Sequence, residues 1–379
     1  MDFAFSEEQE LLRSTVRTFI DRNYPESKVR ELMAGPAGND PALWRQMADQ
    51  LGLQGLAIPE QHGGSGFGFQ ELAIVEEELG RALVPSPFLA SVVQAGSYLA
   101  HCGDEAAQKD YLPPIAAGTT IASLAIVESS GRWDLGDVGL TPHHASAEPR
   151  LSGTKLFVLD GGIADLILVA AREPEGGLSV YAVPSGAPGL RLEPLHTMDQ
   201  TRKLAHARFD GTPARLVGQR GAAAAALQIA LQVTAIALAM EAAGGAQRAL
   251  EMAVEYAKIR HQFGRPIGSF QAIKHKCADM LVEVEAARSA AYYGVWCASE
   301  ENEELPALAS LAKSVCADAY FQVAGDNIQV HGGIGFTWEH PAHLYFKRAK
   351  STQVLLGDSA YHRERLASLA GIAPPEPAG

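Results

Sequence analysis

The chain has 379 residues, 47% hydrophobic and 20% charged, with 31 Lys+Arg against 44 Asp+Glu for a net charge of −13. Such a composition excludes a disordered or fibrous protein and is long enough for two or three domains with a full core. The acidic excess argues against nucleic acid or an anionic membrane as a partner, but leaves room for a phosphate-bearing ligand held by a few local donors.

The first 118 residues read as helical, in short pieces. Ser6-Glu7-Glu8-Gln9 is a capping-box pattern, and Leu12, Val16, Phe19 and Ile20 follow at helical spacing. Asp40-Pro41 predicts an N-cap and first-turn proline, with Gly52 as the stop. The glycine-rich stretch 62–68 predicts a loop, and a further helix is expected over 71–79. Nothing in the first eight residues resembles a secretory signal.

Residues 119–218 change character. The runs 123–127, 155–159, 166–169 and 178–183 are strand-like in length and composition, with Gly, Pro and Asp between them. They predict an antiparallel β-domain, a barrel or sandwich. The paired His143-His144 has no third ligand at metal spacing, so a surface loop is expected rather than a metal site.

From 219 to 371 long helices are expected, with 372–379 as a frayed tail. The stretch 221–240 carries no charge and approaches the length of a membrane span, but Gln228, Gln232 and Thr234 interrupt it. A helix buried among other helices is the expectation, in a soluble, cytoplasmic protein. The cysteines Cys102, Cys277, Cys297 and Cys316 form no CxxC pair, which predicts free thiols and neither disulfides nor zinc. The acidic cluster 299–304 reads as a solvated interhelical loop.

Three segments carry candidate chemistry. In Tyr256-Ala257-Lys258-Ile259-Arg260-His261-Gln262-Phe263-Gly264-Arg265-Pro266-Ile267, a helix is expected to end near Phe263-Gly264 and another to begin around Ser269. Arg260 and Gln262 would then project donors past the helix end, although the helix dipole alone also favours an Arg there. In Gln329-Val330-His331-Gly332-Gly333-Ile334-Gly335-Phe336, the glycines permit close backbone approach to a ligand, or simply cap a helix. The third is the pair 126–130 and 156–162, where Phe157 is either core or a platform for a ring.

In this order, and on this helix–sheet–helix frame, these segments resemble the acyl-CoA dehydrogenase family over nearly the whole chain. The specific motifs are Arg260-x-Gln262-Phe263-Gly264-x-Pro266-Ile267 with Phe270-Gln271, and Gln329-x-x-Gly332-Gly333-x-Gly335-Phe336. The resemblance implies an α+β fold with an N-terminal helical domain, a middle antiparallel β-domain and a C-terminal four-helix bundle. It also implies FAD, an acyl-CoA substrate, a dimer or dimer of dimers, and electron-transfer flavoprotein or a similar acceptor. Carried over by position, Arg260, Gln262, Phe263, Gln329, Gly332 and Gly333 would hold the adenosine-diphosphate half of a neighbouring subunit's FAD.

The pattern breaks at the catalytic base. The family's usual base position falls on Leu356 and its alternative position on Thr234, with Ala235 where an Arg normally follows. Neither residue can take a proton from carbon. The hydroxyls expected beside the flavin ring are replaced by Val127 and Leu159. This asymmetry predicts the base-lacking partner in a heterotetramer with a homologous catalytic subunit, resembling the actinobacterial members that act on steroid CoA esters. A self-sufficient homo-oligomer with a relocated base is the alternative, with Glu241 as its candidate and Asp358 a weaker one. A flavin-dependent monooxygenase on the same frame is a third reading.

Overall fold

The computed structural model describes residues 5–144, 148–300 and 302–372. All of the tail but Ile372, and Glu301 of the acidic cluster, lie outside them. Among the described residues the chain opens with α1 (Glu7–Asn23), α2 (Glu26–Ala34), α3 (Pro41–Leu51), α4 (Phe69–Arg81), α5 (Gly96–His101) and α6 (Glu105–Ala116). Seven strands follow: β1 (Ala122–Ala125), β2 (Arg150–Leu159), β3 (Leu166–Arg172), β4 (Leu178–Pro184), β5 (Leu190–Pro194), β6 (Leu204–Pro213) and β7 (Arg215–Val217). After them come α7 (Ala224–Ile259), a hairpin of β8 (His261–Gln262) and β9 (Arg265–Pro266), α8 (Gln271–Ser299), α9 (Leu305–His331), α10 (Ala342–Val354) and α11 (Ser359–Leu369).

Local chemistry explains the helix ends. The Ser6 hydroxyl accepts from Gln9 N while the Gln9 side chain accepts from Ser6 N, closing the capping box. Asp40 accepts from the N–H groups of Ala42 and Leu43 at the start of α3, and Gly52 ends it in the left-handed region at φ 62°.

Contacts within the chain group it into two compact units. One comprises Lys28–Leu72 and Pro85–Thr234 and contains every strand from β1 to β7. Its strands form two sheets, ordered β1-β3-β4-β7 and β2-β6-β5. All but one of the pairings are antiparallel; β1 runs parallel to β3, in register from Ala122↔Leu166 to Ala125↔Val169. Strand β3 shows why its sequence is an unbroken apolar run. Ile167, Val169 and Ala171 face a core shared with Leu151, Val158, Ala207 and Phe209 of the second sheet. Leu166, Leu168 and Ala170 face the opposite way, into a core with Tyr98, Leu112 and Leu227 from helices. Both faces are covered, so alternation disappears.

The other unit comprises Met1–Ser27, Ala73–Val84 and Ala235–Gly379. It holds the long helices of the C-terminal bundle. Within it α4 and α7 approach through reciprocal glycines. A Cβ on Gly80 would lie 2.2 Å from the Glu241 carbonyl oxygen, and one on Gly244 2.0 Å from that of Glu77. Charged pairs flank this contact: Arg81 grips Glu251 through two bonds of 2.9 and 2.6 Å, and Arg17 grips Glu78 through two of 2.8 and 2.6 Å. Helix α7 is long and apolar enough to cross a membrane by composition, yet 67% of its most apolar window is buried within the protein.

Candidate functional site

The first motif is not helical where the sequence pattern expected it to be. Helix α7 stops at Ile259, before Arg260, and the next residues leave it for a hairpin that turns at Phe263-Gly264. Gln262 pairs with Arg265 in the β8–β9 hairpin, and Ile267 N donates to Arg260 O at 2.7 Å, closing the base of the turn. Phe263 and Gly264, the two central residues, have φ of 53° and 78°. Positive φ at both positions is the pattern of a tight two-residue hairpin; for a phenylalanine it is strained. The Phe263 side chain is nevertheless 90% exposed.

The second motif ends α9. Gly332 takes φ 63° and ψ −143°, a conformation restricted to glycine, and its N–H donates to the carbonyls of Ile328 and Gln329. It is a helix cap, as the plainer reading of the sequence allowed, but an open one. A Cβ on Gly332 or on Gly333 would meet nothing within 4 Å.

Arg260, Gln262, Phe263, Gln329, Gly332 and Gly333 are all exposed. Among the described residues no hydrogen-bond or ion-pair partner is recorded for the side chains of Arg260, Gln262 or Gln329. A forked cation, two amides, bare glycine backbone and an open aromatic ring suit a nucleotide diphosphate, and they fit the adenosine-diphosphate portion of FAD.

The positions that the resemblance assigns to the base have a different character. Leu356 is buried, 4% exposed, in a turn with φ 60°. Its carbonyl accepts from His362 Nε2 at 3.1 Å, and buried Lys313 donates to the carbonyls of Gln353 and Gly357. Thr234 is fully buried, with its hydroxyl donating back to Ala230 O at 2.5 Å. Glu241 is buried beneath α10, its carboxylate accepting from Arg348 NH1 at 3.3 Å and Thr352 Oγ1 at 3.0 Å. Asp358 caps α11 by accepting from Tyr361 N at 2.8 Å.

On the sheet side, Val127 and Leu159 are buried, 1% and 2% exposed, while Phe157 is 36% exposed with φ 53°. A register shift in β2 between Lys155 and Val158 turns Phe157 outward. Sequence reasoning missed what anchors this strand. Lys155, fully buried, donates to Glu128 Oε1 at 2.6 Å and to Ile126 O at 3.0 Å. Glu128 also accepts from the N–H groups of Gly139 and Leu140. Burial pulls the Lys155 ammonium down to about 8 against the pull of Glu128. Burial pushes Glu128 up, but Lys155 and the backbone donors outweigh it and hold the carboxylate below its usual range. A lysine alternating with strand apolar residues was the available signal. His144 is in contact with Glu173 and Arg220, at 2.9 and 3.1 Å, and no group of residues suited to a metal occurs among the described residues.

Helices, then a two-sheet β-region, then long C-terminal helices, in this order along the chain, place the protein among flavoprotein oxidoreductases. The chain belongs to the acyl-CoA dehydrogenase family. The family's N-terminal domain profile matches residues 6–119 and its C-terminal domain profile matches 220–370. It is therefore an oxidoreductase acting on CH–CH bonds, with FAD as cofactor. The chain is 36% identical over 368 residues to the acyl-CoA dehydrogenase IpdE2 of Mycobacterium tuberculosis, covering 97% of this chain and 99% of that protein. Among solved structures it is similar to the Tcur3481-Tcur3483 steroid ACAD, at 32% identity and TM-score 0.88, covering 96% of this chain and 98% of that one. It is also similar to the ChsE4-ChsE5 complex of Mycobacterium tuberculosis, at 30% identity and TM-score 0.89, covering 99% of this chain and 100% of that one.

Proposed function

We propose that this chain is the base-lacking subunit of a two-chain acyl-CoA dehydrogenase, completing the FAD site of a homologous catalytic partner. The carrying observation is that both base positions hold residues without an acid group, buried Leu356 and buried Thr234, while the six adenosine-side residues remain open. Bound FAD would supply the hydride acceptor for α,β-desaturation of the thioester. This chain's own part is to bind and orient: Arg260 would neutralise a phosphate, and the glycine backbone would let the diphosphate approach.

Glu241 is the candidate for a relocated base, and its surroundings argue for a structural role. A general base must reach the proton it removes, whereas the Glu241 carboxylate is buried against α10 and held there by Arg348 and Thr352. The steroid and two-protein descriptions of the similar structures favour a CoA ester of a steroid-derived acid as substrate, and a cytoplasmic location suits such a soluble assembly. Electron-transfer flavoprotein or a similar carrier would accept the electrons.

The test is to purify the chain alone and again with a co-expressed paralogue, measuring flavin per chain and turnover of an acyl-CoA. Flavin and turnover are expected only from the mixed assembly. Full flavin occupancy and turnover by the lone chain would sink the reading.

A further inference from the structure

The two segments of the nucleotide half-site leave different helices, and a column of rings joins their roots. Tyr256 lies one turn before Arg260, whose N–H donates to the Tyr256 carbonyl at 2.9 Å. The Tyr256 ring stacks on His331, with centroids 4.3 Å apart and planes at 29°. His331 immediately precedes Gly332 and is buried, 6% exposed. His340, in the segment leading to α10, also lies against His331, with centroids 4.2 Å apart and planes at 48°.

The tautomer of His331 follows from its partner. Its Nδ1 is 2.9 Å from the Asn327 carbonyl, which can only accept, so Nδ1 carries the proton. Burial lowers the affinity of this imidazole for a second proton, against the pull of the Asn327 carbonyl. A neutral ring can fill the gap between Tyr256 and His340 without placing a charge there.

We propose that His331 is a positioning residue for the cofactor: packed against the rings of Tyr256 and His340, it sets the Gly332-Gly333 backbone relative to Arg260 and so tunes the grip on the FAD diphosphate. The inference rests on the half-site reading of these residues and not on the missing base. Stacking supplies the fixed distance, and the Nδ1 bond fixes the rotation of the ring about its own helix.

The experiment uses the flavin-loaded assembly in which the chain is purified, and measures the FAD dissociation constant by fluorescence of released flavin, beside the melting temperature. His331→Ala is expected to weaken FAD binding about tenfold, as loss of two ring contacts would. His331→Phe, which keeps the stack, should recover most of that loss, and Tyr256→Leu, at a half-buried position, should reproduce it. Combining Tyr256→Leu with His331→Ala should cost little more than either alone, because both break one column. A general loss of stability would lower the melting temperature without giving this rescue and coupling. Wild-type FAD affinity in a folded His331→Ala or Tyr256→Leu variant would overturn the proposal, as would strictly additive losses. Turnover by a lone wild-type chain would defeat the two-chain reading and leave this inference standing.

Discussion

Glu241 and Leu356 show how one residue type in one setting decides a role. The Glu241 and Arg348 side chains are each 6% exposed, so neither charge has much water to fall back on. Removing one partner from such a pair costs about 3–5 kcal/mol, because the other charge is left buried. Glu241→Gln is therefore expected to lower stability in chemical denaturation by an amount of that order, while turnover per folded assembly is unchanged. A fall in kcat with stability intact would instead mark Glu241 as a base. Around Leu356, His362 is the sensitive element. Burial, reinforced by the nearby Lys313 charge, pulls this imidazole down from 6.5 to about 3. Between those values the unfolded chain binds a proton that the folded chain refuses, so stability is present above pH 6.5 and is lost as pH falls towards 3. Melting temperature should drop across that window, and drop less in His362→Gln. An identical pH slope in the variant would refute the assignment. The absence of an acid group at Leu356 and Thr234, the positions that the resemblance assigns to the base, could be read in sequence. The engagement of Glu241 was not, since Arg348 and Thr352 approach it from a helix more than a hundred residues away.

At the scale of elements, the apolar runs placed β1, β3 and β4 closely and the second half of β2, because short β-branched and leucine-rich stretches between turn residues have few other uses. The parallel pairing of β1 with β3 was invisible, since direction is set by where the intervening β2 goes and not by composition. The premature end of α7 was missed for a related reason: Arg260 to Gln262 have no strong aversion to helix, and the hairpin forms through the turn that follows them. The β2 anchor makes an asymmetric prediction. Glu128→Gln leaves the buried Lys155 ammonium without its counter-charge, with carbonyl acceptors alone, and is expected to cost about 3–5 kcal/mol. Lys155→Met leaves Glu128 with two backbone donors and partial access to solvent, and should cost less. Equal losses of melting temperature in the two variants would contradict that ordering.

For the whole molecule, the net charge of −13 sharpens what a single cation is worth. An acidic chain that is to hold a diphosphate, as proposed, must concentrate positive charge locally, and Arg260 is exposed and has no side-chain partner among the described residues. Arg260→Ala in the flavin-loaded protein should weaken FAD binding about 10- to 100-fold, the worth of a charge-assisted bond. Retention of full flavin through gel filtration would count against its role. The family and its helix–sheet–helix order were readable because the motifs are local runs. The grouping into two units was not, because 73–84 joins the C-terminal helices through contacts that no local pattern announces.

Phe263 carries a last consequence. Its left-handed backbone costs about 1–3 kcal/mol. That cost falls when the chain folds, before any partner arrives. In the proposed two-chain assembly the hairpin would meet its counterpart already shaped, with little ordering entropy left to lose on contact. Assembly should then run as rigid docking, with a rate governed by how often the two chains collide and a lifetime governed by how well they fit.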